Sequence, residues 1–201
     1  MKLNIANQIT ILRIVLIMPF IICMMNISDE TYGDTIRYLA LVIFLIMGIS
    51  DYLDGYFARK RKLVSSLGRF LDPLADKLLM MTASILLAYE PTAVPGFRLP
   101  PAVVVLIIGK DLILLMGFIV IYLNVNKVHI VPVNTGKFST FIQLTMVTAI
   151  LIAPEMSKLI PYWIYILKLL WWTTALMAIL ATFVYIRAGI KYIEQNEEES
   201  D

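Results

Sequence analysis

The sequence predicts an all-α, polytopic membrane protein with six transmembrane helices, and three observations predict it. Hydrophobic residues make up 60% of the chain and charged residues only 16%, against about half and a quarter in soluble domains. Mean hydropathy is +0.81. Six apolar stretches, each near the roughly 20 residues a span needs, are separated by segments of turn chemistry.

The stretches fall near 7–26, 36–58, 70–89, 101–125, 136–154 and 160–188. The first carries one charge ahead of it, Lys2, and Arg13 inside it, with no small-residue cleavage site after it. It therefore reads as a retained span rather than a removable signal. Asn26 to Asp34, with Gly33, turns the chain into the second stretch, which ends in the basic run Arg59–Lys62. The third stops at Pro91, Pro95 and Pro100, and the fourth holds Lys110 and Asp111. Asn124 to Asn134, with Pro132, precedes the fifth, and Pro154 closes it. The sixth runs into an acidic tail, Glu194–Asp201, expected to fray. No internal repeat is evident, and residues 1–201 read as one membrane domain.

Loop charges orient the chain. Arg59, Lys60, Arg61, Lys62 and Arg69 join stretches two and three, Lys127 and Lys137 lie between four and five, and Arg187 and Lys191 follow six. The other side has Arg37, Arg98 and Lys158 beside Asp29, Glu30, Asp34, Glu90 and Glu155. Basic loops mark the cytoplasmic side, which puts both termini there. A lone cysteine, Cys23, excludes an intrachain disulfide, and a lone histidine, His129, excludes a zinc site built on several imidazoles. A net charge of +2 gives no argument for nucleic acid. Any metal must be held by oxygen.

The oxygen ligands are conspicuous. Asp51 and Asp54 lie three apart at the end of stretch two, and Asp72 and Asp76 lie four apart at the start of stretch three. Each pair shares a helix face, and the short connection lets the four converge near the cytoplasmic boundary. A charge at the bilayer centre costs about 3 kcal/mol even on permissive scales, and four uncompensated carboxylates repel. Hard divalent cations, Mg²⁺ or Mn²⁺, relieve both costs and also grip phosphate oxygens. The plainer reading is structural: pairing with Arg59, Lys60 or Arg69, and Asp72 as an N-cap before Pro73. Gly55, Ala58 and Gly68 remove bulk beside the acids, for close helix packing or for a ligand.

From Asp51 to Asp76 the chain reads D-x-x-D-G-x-x-A-R, eight residues, then G-x-x-x-D-x-x-x-D. This resembles the signature of the CDP-alcohol phosphatidyltransferases, with every fixed position filled. The resemblance implies an integral membrane enzyme of phospholipid biosynthesis, acting on CDP-diacylglycerol and an alcohol at the cytoplasmic side of a bacterial inner membrane. It implies that Asp51, Asp54 and Asp72 ligate a pair of divalent cations, with Asp76 near the second and serving as general base. Gly55, Ala58 and Gly68 would line the cytidine and ribose pocket, and Arg59 would meet the diphosphate. Homodimerisation is also similar to what this family does.

Two further segments resemble the family. NQITILR places Asn7, Thr10 and Arg13 where they would reach the nucleotide or the acceptor, with helix capping the alternative for Asn7. Lys110–Asp111 stands where an Arg–acid pair is usual, and a lysine lacks the bidentate fork. Lys110, Lys137 and Arg13 form a candidate basic pocket for a phosphate-bearing acceptor; an ion pair of Lys110 with Asp111 or with the acid cluster is the alternative. Glycerol 3-phosphate, giving phosphatidylglycerophosphate and CMP, is the expected acceptor. KDLILLMGFIVIYLN and TGKFSTFIQL look equally like the CMP-forming cardiolipin synthases, which use phosphatidylglycerol.

Other classes fit less of the sequence. An ion-coupled transporter also buries carboxylates but is expected to show inverted repeats and broken helices. A membrane prenyltransferase binds metal-diphosphate through aspartate motifs in separate loops, without the intervening Gly and Ala-Arg pattern. Trp163, Trp171 and Trp172 with Tyr162 and Tyr165 read as interfacial anchors, the methionines as packing filler, and Arg59–Lys62 as a contact for anionic headgroups.

Overall fold

The computed structural model describes the backbone of residues 5–61, 66–124 and 134–198 and the side chains of 10–50, 74–117 and 136–190. Among the described residues every regular element is helical: α1 (Ile5–Met25), α2 (Gly33–Arg61), α3 (Ser66–Ala88), a 3₁₀ turn at Glu90–Thr92, α4 (Pro101–Asn124), α5 (Asn134–Leu151), α6 (Ala153–Leu159) and α7 (Trp163–Glu198). Six of these have 18 residues or more, and they match the six apolar stretches. Within the described residues, Gly33–Ser50 and Trp163–Ile190 are long and apolar enough to cross a membrane, and Thr10–Met25 is a shorter apolar helix. The protein is an all-helical membrane protein.

Three boundaries differ from the sequence reading. The fifth stretch does not run unbroken to 154: α5 ends at Leu151, and α6 leaves at 73°. Pro154 stands in the first turn of α6, where its missing N–H costs least. Counted as one broken span, α5 and α6 would supply a third crossing. Asp72 is not an N-cap, because α3 begins six residues earlier, at Ser66. The acidic tail does not fray at Glu194: α7 continues to Glu198, carried by strong helix formers such as Glu and Gln.

The chain forms two compact units, Met1–Leu99 with Val147–Leu167, and Pro100–Met146 with Lys168–Asp201. In the first, α1 packs against both α2 and α3. Phe20 and Phe44, both fully buried, meet at a ring-centroid distance of 5.9 Å. The turn between α1 and α2 is tied by Asp29, whose carboxylate accepts from the N–H groups of Tyr32 at 2.7 Å and Thr31 at 2.9 Å. These two donors, Tyr32 first, hold the Asp29 carboxyl below its ordinary range. Gly33 then enters α2 so close to the chain that a Cβ would lie 2.7 Å from the Ile27 carbonyl oxygen.

Arg37, only 2% exposed, clips this end of the unit. Its Nη1 donates to the Leu151 carbonyl and to Glu155 Oε2, both at 2.7 Å, while Nη2 donates to Glu155 Oε1 at 2.5 Å and Asp34 Oδ1 at 2.9 Å. The guanidinium fork thus satisfies a carbonyl freed by the α5–α6 break and grips the acid of the next turn.

In the second unit, Val103 and Ile107 of α4, Met146 of α5 and Trp171, Ala175, Ala178 and Ala181 of α7 are buried. Small residues three apart on α7 let a neighbouring helix approach closely. Gly136 makes another close approach. A Cβ there would collide with the Tyr185 hydroxyl and lie 2.7 Å from Tyr185 Cζ. A rigid ring cannot fold away, so Gly136→Ala should cost about 1–3 kcal/mol. Truncating the ring in a Gly136→Ala/Tyr185→Ala double variant should recover much of that loss in thermal unfolding; strictly additive losses would show that the two residues do not meet.

Candidate active site

The buried stripes of the first unit lead to the candidate site. On α2, Ala40, Phe44 and Met47 are fully buried, and their three-and-four spacing continues through Asp51, Asp54 and Ala58. On α3, Leu79, Met80, Ala83 and Leu87 are at most 2% exposed, and the same register runs back through Asp76 and Asp72. The α1 stripe is Phe20 and Met24, then towards its start Ile17, Arg13 and Thr10, none more than 8% exposed. The α1 stripe is therefore apolar over its middle and polar at its start, and the sequence spacing of α2 and α3 sets their acids at the joined ends of those helices.

Those polar ends belong to the same end of the unit. A short turn returns α2 beside α1, and the Phe20–Phe44 contact sets their level. Arg13 lies seven residues before Phe20 and Asp51 seven after Phe44, each about 10 Å along its helix. Residues 62–65 join the end of α2 to the start of α3, so chain connectivity holds those two ends within about 19 Å. The backbone positions of residues 10, 13, 51, 54, 72 and 76 thus lie towards one end of the three-helix packing.

Side chains are described for three of these. Thr10 and Arg13 are buried, at 0% and 2% exposure. Asp76 is 22% exposed, with Oδ2 3.5 Å from Lys77 Nζ, a loose pairing beside the 2.7–2.9 Å of a tight charged hydrogen bond. It is reachable from outside and still lies on the inward register of α3. The side chains of Asn7, Asp51, Asp54, Gly55, Ala58, Arg59, Gly68 and Asp72 lie outside the described residues, although their backbones are helical. The donor set fits divalent cations in kind: four carboxylates, two from each of two joined helix ends.

The second unit holds the other predicted residues. Lys110 and Asp111 on α4 are 3% and 0% exposed. Lys110 Nζ lies 3.2 Å from Asp111 Oδ1, so the internal ion pair forms. The same ammonium donates to Ser139 Oγ and Gln143 Oε1, each at 3.4 Å. Lys137 does not join them. It is exposed, and it stands roughly 120–160° around α5 from both Gln143 and Ser139.

Sequence reasoning passed over Ser139 and Gln143. Their signal was available, two polar residues four apart within the otherwise apolar run FIQLTMV and its approach, but nothing in the sequence joined them to Lys110. It also passed over Arg37 and Glu155, which read as outer-loop charges and instead form the clip.

Known proteins have sequences similar to this one over much of its length. The model of the family described as CDP-alcohol phosphatidyltransferase matches residues 3–186. A Bacillus subtilis protein named CDP-diacylglycerol--glycerol-3-phosphate 3-phosphatidyltransferase is 33% identical, over 97% of this chain and 96% of its own length. A Rickettsia bellii protein of the same name is 32% identical, over 94% of this chain and 97% of its own. An Aquifex aeolicus protein so named is 34% identical over 73% of this chain and 75% of its own. Every fixed position of the aspartate signature and a match across nearly the whole length lead to one conclusion: the chain belongs to the CDP-alcohol phosphatidyltransferase family.

Proposed function

We propose that this enzyme transfers the phosphatidyl group of CDP-diacylglycerol to glycerol 3-phosphate, forming phosphatidylglycerophosphate and releasing CMP. The observation that carries the acceptor is the end-to-end likeness to enzymes named for that reaction. The aspartate signature at the joined ends of α2 and α3 supports the reaction type.

Asp51, Asp54, Asp72 and Asp76 would hold a pair of Mg²⁺ or Mn²⁺ ions, hard cations suited to carboxylate oxygens. Such ions, when bound, polarise a diphosphate and stabilise the leaving CMP. Asp76 takes the proton from the acceptor hydroxyl as its oxygen attacks the phosphatidyl phosphorus; the bond from that phosphorus to CMP breaks. Arg59 meets the diphosphate, and Gly55, Ala58 and Gly68 leave room for cytidine and ribose. Asn7 and Thr10 contact the nucleotide. The basic residues Arg13, Lys110 and Lys137 favour an anionic, phosphate-bearing acceptor.

The reading places the protein in the bacterial inner membrane with six spans, both termini cytoplasmic, and a homodimeric assembly. Acyl chains stay in the bilayer while CMP leaves to the cytoplasm. A family match that runs through both compact units supports a single catalytic membrane domain.

An acceptor screen tests this. Purified protein with CDP-diacylglycerol and Mn²⁺ should give phosphatidylglycerophosphate by mass spectrometry when supplied with glycerol 3-phosphate. Cardiolipin formed from phosphatidylglycerol in its place would reassign the acceptor. Absence of CMP release with any alcohol would reject the reaction.

A further inference from the structure

Helix α7 is too long for the bilayer it crosses. Its apolar part, Trp163–Ile190, has 28 residues and extends about 42 Å, whereas the hydrocarbon layer is about 30 Å thick. Tilt alone would have to reach about 45° to absorb the excess, beyond the roughly 0–40° that membrane helices adopt. The charges along α7 resolve the mismatch. Lys168 and Arg187 are both exposed and stand about 28 Å apart along the helix, close to one hydrocarbon thickness. Long basic side chains bring their charged heads to the interfaces. The start of α7, from Trp163 to Leu167, therefore lies outside the hydrocarbon, in the headgroup layer about 5–8 Å deep.

The chain just before α7 fits that layer. α6 leaves α5 at 73°, so an α5 that follows the bilayer normal sends α6 nearly along the membrane plane. One side of α6 is fixed to protein: Ala153 is fully buried, and Arg37 holds Glu155 with both terminal guanidinium nitrogens. The other side is open. Leu159 is 76% exposed, Tyr162 71% and Tyr165 65%, and Lys158 is exposed beside them. Apolar and aromatic side chains next to a lysine are the composition of a segment lying at the interface. α2 gives an independent level. Its positions 37, beside α6, and 59 belong to one helix and are about 33 Å apart, again close to one hydrocarbon thickness.

We infer that the segment from Lys158 to Tyr165 is a membrane-surface platform, at the end of the first unit opposite the aspartates. Its partner is the phospholipid surface of that leaflet. Leu159, Tyr162 and Tyr165 meet the boundary between headgroups and acyl chains, and the Lys158 ammonium meets lipid phosphate. The Arg37 clip ties the platform to α2, so the lipid surface sets the level at which the packed helices sit. This placement is independent of the acceptor and of the proposed reaction.

Spin-label depth, read without turnover, tests it on the full chain in vesicles of phosphatidylethanolamine and phosphatidylglycerol. Single labels are attached in Lys158→Cys, Leu159→Cys, Tyr162→Cys and Leu176→Cys, all exposed positions whose exchange leaves the core intact. The wild-type chain, with Cys23 buried, is the labelling control. Power saturation by oxygen and by a nickel chelate gives the depth of each label. Labels at positions 159 and 162 should lie within about 8 Å of the hydrocarbon boundary, and the label at 158 should be shallower than that at 159. The label at 176, eight residues past Lys168, should lie about 12 Å inside the hydrocarbon. Labels at 159 and 162 as deep as the one at 176 would put α6 within the membrane and overturn the platform. Chelate access equal to that of a free label in water would overturn the lipid contact. A label at 158 deeper than the one at 159 would overturn the contact between Lys158 and lipid phosphate.

Discussion

Replacing Asp76 by Asn is expected to lower kcat by about a thousandfold, the middle of the range for a positioned general base, with CDP-diacylglycerol still bound. The side chain stands on the inward register of α3, one turn beyond Asp72, and it keeps 22% exposure and only a loose 3.5 Å partner in Lys77. It is therefore reachable by an acceptor and loosely paired, as a group that must accept a proton and release it should be. Asparagine preserves the volume and one ligating oxygen but cannot take the proton. Donor binding, read by retention of a labelled CDP-lipid, should hold while product formation stops. Wild-type-like rates in this variant would reject the assigned base.

The largest effect on stability is expected at the opposite end of the first unit. Glu155→Leu should cost about 3 kcal/mol, because it strands the charge of Arg37 in a buried place. Both guanidinium nitrogens rely on Glu155, whose side chain is 32% exposed, and Asp34, 83% exposed, is a poor substitute. Asp34→Ala should accordingly cost less than about 1 kcal/mol, as exposed pairs do. Arg37 stands fourteen residues before Asp51 on α2, about 21 Å along the helix, so specific activity of the folded protein should survive in both variants. Unfolding in detergent decides the order; a larger loss for Asp34→Ala would show that the clip is misassigned.

Hydropathy carried most of the fold. A span is long and apolar whichever way it faces, so six stretches were legible before any contact was known. What hydropathy could not supply was the face. Lipid and protein interior are both apolar, so α1 has no strong amphipathic period, and only the packing shows that Thr10, Arg13, Ile17, Phe20 and Met24 point inward. The acids on α2 and α3 were legible because a carboxylate in an apolar segment needs a reason to be there. The break at Leu151 was less so: Pro154 announces an end, but Arg37 holds the bend from 118 residues away. Ser139 and Gln143 were missed for the same cause. Their polarity was visible, whereas the ammonium that satisfies it comes from 29 and 33 residues earlier on another helix.

Manganese bound to the purified protein in the presence of CMP, counted by electron paramagnetic resonance, weighs the assignment of the four acids without reliance on turnover. The wild type should hold a pair of coupled ions, and Asp51→Ala or Asp72→Ala should lose at least one of them. Wild-type protein that takes up no manganese, or variants that take up as much as it does, would contradict the metal-holding role given to the joined ends of α2 and α3.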